Sequence, residues 1–208
     1  MKTLTLSGSV NRRDFLKLSG FAGGGLALAF YIRSGGDALG AEKSASGDFA
    51  PNAFIRISPA GTITIVSKQP EMGQGVKTSL PMIIAEQLEV PWKDIMIEQG
   101  DFDEKAFGSQ NAGGSNSTPN NYDNFHLLGA TARTMLVDAA AQTWGVPASE
   151  CRAENGAVGH RSGKSLKYGQ LAAKAAKLPV PAPEAVKLKD PKDYKLLGKR
   201  IPQFDSTK

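Results

Sequence analysis

Cysteine is almost missing from this 208-residue sequence, with Cys151 standing alone. A single thiol forms no internal disulfide, no CxxC metal pair and no iron–sulfur site. The two histidines, His126 and His160, are isolated from one another and from any cysteine at metal-ligand spacing. Aromatic residues are few, at 7%, and no basic stripe is interleaved with them. The net charge of +5 is uneven. Residues 1–41 hold Lys2, Arg12, Arg13, Lys17 and Arg33 against Asp14 and Asp37, so +3 of it sits there. That distribution removes the electrostatic argument for nucleic-acid binding. Several signatures are also absent: no GxGxxG follows a strand pattern, no GxxxxGK[ST] occurs, and no GxSxG elbow is present.

What is present begins at the N-terminus. The paired Arg12-Arg13, followed by Phe15, Leu16, Lys17 and a glycine-rich apolar run, resembles a twin-arginine export signal. The run is broken by Ser19, Gly20 and Gly23 to Gly25 and closes at Arg33. It falls short of the roughly 18–20 clean apolar residues of a membrane span. Residues 1–41 are therefore expected to be the signal, with cleavage near Ala38 to Glu42, and the destination is the periplasm. Because this route carries folded proteins, it points to a cofactor inserted beforehand. Residues 42–52 are expected to be a linker.

The periodicities predict an α+β fold: hairpins or a small mixed sheet packed with about three helices. Ile55 and Ile57, a Pro59-Ala60-Gly61 turn, then Ile63 and Ile65 predict a β-hairpin. Leu80, Ile83, Ile84, Gln87 and Leu88 predict a helix over about 79–89, with Glu86 and Glu89 on its solvated face. A short strand is expected around Ile95 and Ile97. A long helix is predicted from Tyr122 to Trp144, stopped by Gly145-Val146-Pro147. His126 is expected at its surface or boundary. A hairpin should turn at Asn155-Gly156, and a third helix spans about 168–178. The domain proper is thus 53–178. Residues 179–208 contain five prolines and no periodicity, which predicts an extended, mobile connector.

Two loops carry the chemistry. Gly73-Gln74-Gly75 lies between a strand and a helix, where backbone amides and the helix dipole suit an anion or an oxo group. Gln74 adds an amide that can donate and accept. Gly113, Gly114, Ser115 and Ser117, also ahead of a helix, combine close backbone approach with hydroxyls, as a phosphate or pterin cradle would.

In order, "EMGQGVKTSLPMIIAEQL", "GSQNAGGSNST", "AAAQTWGVPASECRAENGAV", "SLKYGQLAAKAAKL" and "LKDPKDYKLLGKRIPQFDSTK" resemble the opening part of the large subunit of molybdenum hydroxylases. Within that xanthine dehydrogenase and aldehyde oxidase family, they are most like isoquinoline 1-oxidoreductase beta subunits. The resemblance implies a molybdenum–molybdopterin cofactor, in one of its forms the cytosine dinucleotide. It implies contact through Gly73, Gln74 and Gly75 on one side, and through Gly113, Gly114, Ser115 and Ser117 on another. It implies hydroxylation of aldehydes or N-heterocycles with water as oxygen source. The implied partners are a small iron–sulfur subunit, a cytochrome c and the remainder of the large subunit, with no nucleic acid and no stable membrane span. It places the general-base glutamate and a hammerhead domain beyond Lys208. No catalytic or metal-ligating residue is therefore assigned here, and this chain alone is expected to be silent. The rival expectation is a non-catalytic exported protein, a truncated product or a binding module.

Overall fold

The computed structural model describes residues 49–204, with side chains from residue 52 onward. The expected export signal, residues 1–41, lies outside the described residues. β1 (Phe49–Asn52), β2 (Ile55–Ile57) and β3 (Ile63–Ser67) form an antiparallel meander. α1 (Val76–Leu88) then crosses over, and β4 (Ile95–Gln99) adds to β3 in parallel, aligning Ile63 with Ile95 and Ser67 with Gln99. The first sheet therefore has the order β1-β2-β3-β4. A short α2 (Glu104–Phe107) and the long α3 (Tyr122–Trp144) follow. A second, antiparallel sheet is built from β5 (Cys151–Glu154), β6 (Ala157–His160) and β7 (Ser165–Lys167), and α4 (Tyr168–Ala175) follows it. This is the expected α+β arrangement.

The core explains the arrangement. All five residues of the inner strand β3 are buried. Leu80, Ile83, Ile84 and Leu88 of α1 meet Leu128, Ala132, Met135 and Leu136 of α3 in one apolar cluster. The two helices approach most closely at Gly129, where an added Cβ would stand 2.5 Å from the Ile84 carbonyl oxygen. Phe54 stacks obliquely on Phe125, with ring centroids 5.0 Å apart. The Asn155-Gly156 turn has positive φ at both residues, as a two-residue hairpin turn with the right twist requires.

Five expectations are corrected. The linker does not extend to residue 52, because Phe49–Asn52 pairs with β2. The first helix starts at Val76, three residues early, and Pro81 lies inside it. The stretch beyond 178 is extended, yet it is fastened to α1 and α3. Its anchor is Glu86, which is 1% exposed and not on a solvated face. The Glu86 carboxylate accepts from the Lys195, Leu196 and Leu197 backbone N–H groups at 2.6–3.0 Å. It also takes the Lys189 ammonium at 2.6 Å. Lys189 N–H donates to Gln87 Oε1, and Val186 is buried. His126 is likewise buried, with Gln87 Nε2 donating to its Nδ1 at 2.9 Å.

Candidate functional site

β3 delivers Ser67 into the core, and the next residues, Lys68 and Gln69, stay buried as the chain turns out toward the first glycine loop. Gly73 and Gly75 both have positive φ, 99° and 81°, and Gly75 caps α1 in the left-handed region. Only glycine enters that conformation without a Cβ penalty. The backbone amides at this helix entry do gather around an anion, as expected for their dipoles. That anion is the chain's own Glu71 carboxylate. It accepts from Gly73 N–H at 2.7 Å, Gly75 N–H at 3.0 Å and Lys77 N–H at 2.8 Å. The Gln74 side chain folds onto its own loop, accepting from Met72 N–H and donating to the Pro70 carbonyl. The loop is thus held in shape by Glu71, a residue that sequence reasoning did not assign to the site.

The second loop is held beside the first. Gln110 Nε2 donates to the Lys68 carbonyl and to the Asp101 carbonyl, both at 2.9 Å, while its Oε1 accepts from Asp103 N–H. Buried Gln110 therefore staples the Gly108–Thr118 segment to the end of β3. Gly114 and Ser115 both have positive φ, near 60°. Asn121 Nδ2 donates to the Ser117 carbonyl, tying the loop to the start of α3.

Between the second loop and the end of β3 lies a cavity of about 340 Å³. Its buried floor includes Phe54, Lys68 and Gln69, and its exposed rim carries Asn111, Gly113, Asn116 and Asn120. Of the four residues expected in this loop, Gly113 lines the cavity, whereas Gly114, Ser115 and Ser117 stand outside its lining. A second, more open hollow is bounded by Lys68, Glu71, Lys77 and Phe102. Gly73, Gln74 and Gly75 do not line it themselves. Lys68 borders both spaces and so joins the two loops into one region.

Lys68 is the electrostatic centre of that region. Its ammonium donates to the Phe107 carbonyl at 2.9 Å, and burial pushes its pKa below the ordinary 10.5. No carboxylate among the described residues pairs with it. The Gln69 side-chain oxygen is buried with no partner. A cation and an open acceptor at the floor, with asparagine amides above them, suit a polar anionic ligand. The residues present thus fit a phosphate-bearing pterin on the Gly113 side. On the Gly73–Gly75 side, Glu71 holds the amides, and what remains for a ligand there is close backbone approach and the Gln74 amide.

Together these features define an α+β cofactor-binding module, with two glycine loops facing one cationic, amide-rich region. The chain belongs to the family of molybdopterin cofactor-binding domains, which it matches over residues 12–205. It is similar to the beta chain of isoquinoline 1-oxidoreductase from Brevundimonas diminuta, at 29% identity over 94% of this chain and 30% of that protein. It is also similar to the membrane-bound aldehyde dehydrogenase [pyrroloquinoline-quinone] of Gluconacetobacter polyoxogenes, at 33% identity over 80% of this chain and 21% of that one. Among solved structures, reconstituted CO dehydrogenase from Oligotropha carboxidovorans aligns with a TM-score of 0.47 and 26% identity. That alignment covers 57% of this chain and 15% of that one. The chain therefore spans less than a third of the length of the curated relatives it matches.

Proposed function

We propose that this chain is the cofactor-contacting portion of a molybdenum-dependent oxidoreductase that hydroxylates aldehydes or N-heterocycles with water. The observation that carries the reading is the family match across both glycine loops, which frame one region floored by Lys68. When bound, the cofactor supplies the oxygen-transfer and electron-accepting chemistry. This chain's own residues do the holding. Gly73 and Gly75 let the backbone approach closely, and Gln74 offers an amide donor and acceptor to the pterin or to oxygen ligands. Gly113 lines the opposing wall, and Gly114, Ser115 and Ser117 of the same loop, outside that lining, offer backbone approach and two hydroxyl donors from its outer side. Glu71 fixes the loop from behind, so that Gln74 is presented from an ordered turn.

The same reading extends to the form and company of the enzyme. The cofactor is the cytosine dinucleotide form, electrons leave through a small iron–sulfur subunit to a cytochrome c, and a twin-arginine signal at Arg12-Arg13 directs the protein to the periplasm. Relatives named as single subunits, of isoquinoline 1-oxidoreductase and of nicotinate dehydrogenase from Pseudomonas putida, support a multi-subunit assembly. Among the described residues, no helix is long and apolar enough to cross a membrane.

The test is retention of the pterin. Molybdopterin released from a molybdenum hydroxylase is mixed with the chain under anaerobic conditions, excess is removed by desalting, and bound pterin is oxidised and counted by fluorescence. The expected result is retention near one per chain, lowered at least tenfold by joint Gln74→Ala and Ser115→Ala substitution. Retention that is absent, or equal in the double variant, contradicts the reading.

A further inference from the structure

We propose that Gln203 and Phe204 are positioning residues for the first glycine loop, fixing the turn at Gly75 together with the Glu71 carboxylate. The inference rests on the reading of that loop as cofactor-contacting. It assigns part of the loop's shape to a segment 126 positions beyond Thr78. Three contacts carry it.

The first is at Gly75 itself. Its φ of 81° is left-handed, and the space that a Cβ would take is met by the Gln203 side chain. From that point Gln203 Nε2 stands 3.0 Å away, Cδ 3.6 Å and Cγ 3.8 Å. Glycine at 75 thus permits the turn and also lets a distant side chain lie on the loop backbone. Gly73 has nothing within 4 Å of the same position, so the contact is particular to one of the two glycines.

The second contact is a relay through the helix entry. Phe204 N–H donates to Thr78 Oγ1 at 2.8 Å, and Thr78 is buried. Thr78 N–H in turn donates to the Gly75 carbonyl at 3.0 Å. The third contact is the Lys77 ammonium over the Phe204 ring, 5.8 Å from its centroid. That lies within the reach of a cation–π interaction, roughly 6 Å. Lys77 N–H meets Glu71, the same carboxylate that gathers the Gly73 and Gly75 N–H groups. Lys77 and Glu71 also border one hollow beside the loop.

Gly75 is therefore bracketed. Glu71 holds its N–H, Thr78 holds its carbonyl, and Gln203 covers its Cα. The segment that brings Gln203 there arrives in fixed register. Glu86 holds the Lys195, Leu196 and Leu197 N–H groups, and Thr78 takes Phe204 roughly two turns nearer the start of α1. A segment that served only to cover the core would bring an apolar side chain to that point. Gln203 is exposed, and it lies on loop backbone.

The experiment is residue-resolved amide hydrogen exchange on the full chain without cofactor. It compares wild type with Gln203→Ala/Phe204→Ala and with the conservative pair Gln203→Met/Phe204→Tyr. Exchange at Gly73, Gly75 and Lys77 should rise at least fivefold in the alanine pair and return to the wild-type rate in the conservative pair. Exchange from Ile83 to Leu88 and the denaturant midpoint should stay unchanged, because the Glu86 clamp is intact. A merely structural segment would instead lower the midpoint and speed exchange along all of α1, which overturns the proposal. Unchanged loop exchange overturns it too, as does a loss that the conservative pair fails to restore. Retention of released molybdopterin then separates the two readings, with at least a threefold drop expected in the alanine pair. Equal retention by wild type and the alanine pair overturns the positioning role while the cofactor reading stands. No retention by wild type, with the loop response as expected, removes the cofactor reading and leaves the positioning role in place.

Discussion

Replacing Glu86 by alanine removes the buried carboxylate whose main-chain contacts fasten residues 186–204 to α1. Three backbone N–H groups and the Lys189 ammonium lose their acceptor in a single step. Lys189, whose side chain is 7% exposed, keeps only Glu89 at 2.9 Å as its counter-ion. Breaking a buried ion pair by removing one partner destabilises by about 3–5 kcal/mol. The remaining Glu89 contact offsets part of that, so a loss of about 3 kcal/mol is expected by chemical denaturation. The loss should be local before it is global, with limited proteolysis cutting first between 179 and 204. The acid dependence follows from the same contacts. Burial alone would raise the Glu86 pKa, but Lys189 and the backbone N–H groups outweigh it and hold the carboxyl below its ordinary 4.5. A carboxyl that binds its proton less readily when folded stabilises fully above the unfolded value and loses that contribution as pH falls through the folded one. The stability difference between wild type and Glu86→Ala should therefore shrink below pH 4.5. A loss under about 1 kcal/mol, or a difference that persists unchanged at about pH 3, would refute this picture of the clamp.

Gly129→Ala places a methyl group 2.5 Å from the Ile84 carbonyl oxygen and 2.9 Å from Gln87 Cβ. Overpacking of that kind should lower stability by about 1–3 kcal/mol, and an unchanged thermal midpoint would count against the helix crossing. Burial, partly opposed by Asp123 and Glu86, lowers the His126 pKa below 6.5. The folded chain therefore keeps the imidazole neutral while the unfolded chain protonates, so this contribution is full above pH 6.5 and lost below it. His126→Phe should flatten the stability profile between about pH 7 and 5, and a profile that keeps its slope would contradict that. For export, joint replacement of Arg12 and Arg13 by lysine should leave the protein in the cytoplasm, and unchanged periplasmic yield would remove the export proposal.

The elements visible in the sequence are those whose signal is local. The Ile55–Ile65 hairpin, the Asn155-Gly156 turn and the apolar face of α3 follow from alternation, turn chemistry and 3.6-residue spacing. β1 was hidden because Pro51-Asn52 reads as a linker, and its pairing with β2 is irregular. The docking of residues 186–204 left no periodic trace, because it works through main-chain N–H groups meeting one carboxylate more than a hundred positions earlier. The spacing put Glu86 on a solvated face by default, and only that distant strap buries it. At the site, the glycine loops were legible from composition and position. Lys68, Gln69, Glu71 and Gln110 were not, since each acts through a partner that the fold alone brings near.

If both glycine loops close on one pterin cofactor, that cofactor should order them together. Amide hydrogen exchange on the full chain, with and without released molybdopterin, tests this most directly. Slowed exchange is expected jointly in residues 72–77 and 108–118, with 150–170 unchanged as an internal reference. Protection of one loop without the other, or of neither, would contradict it.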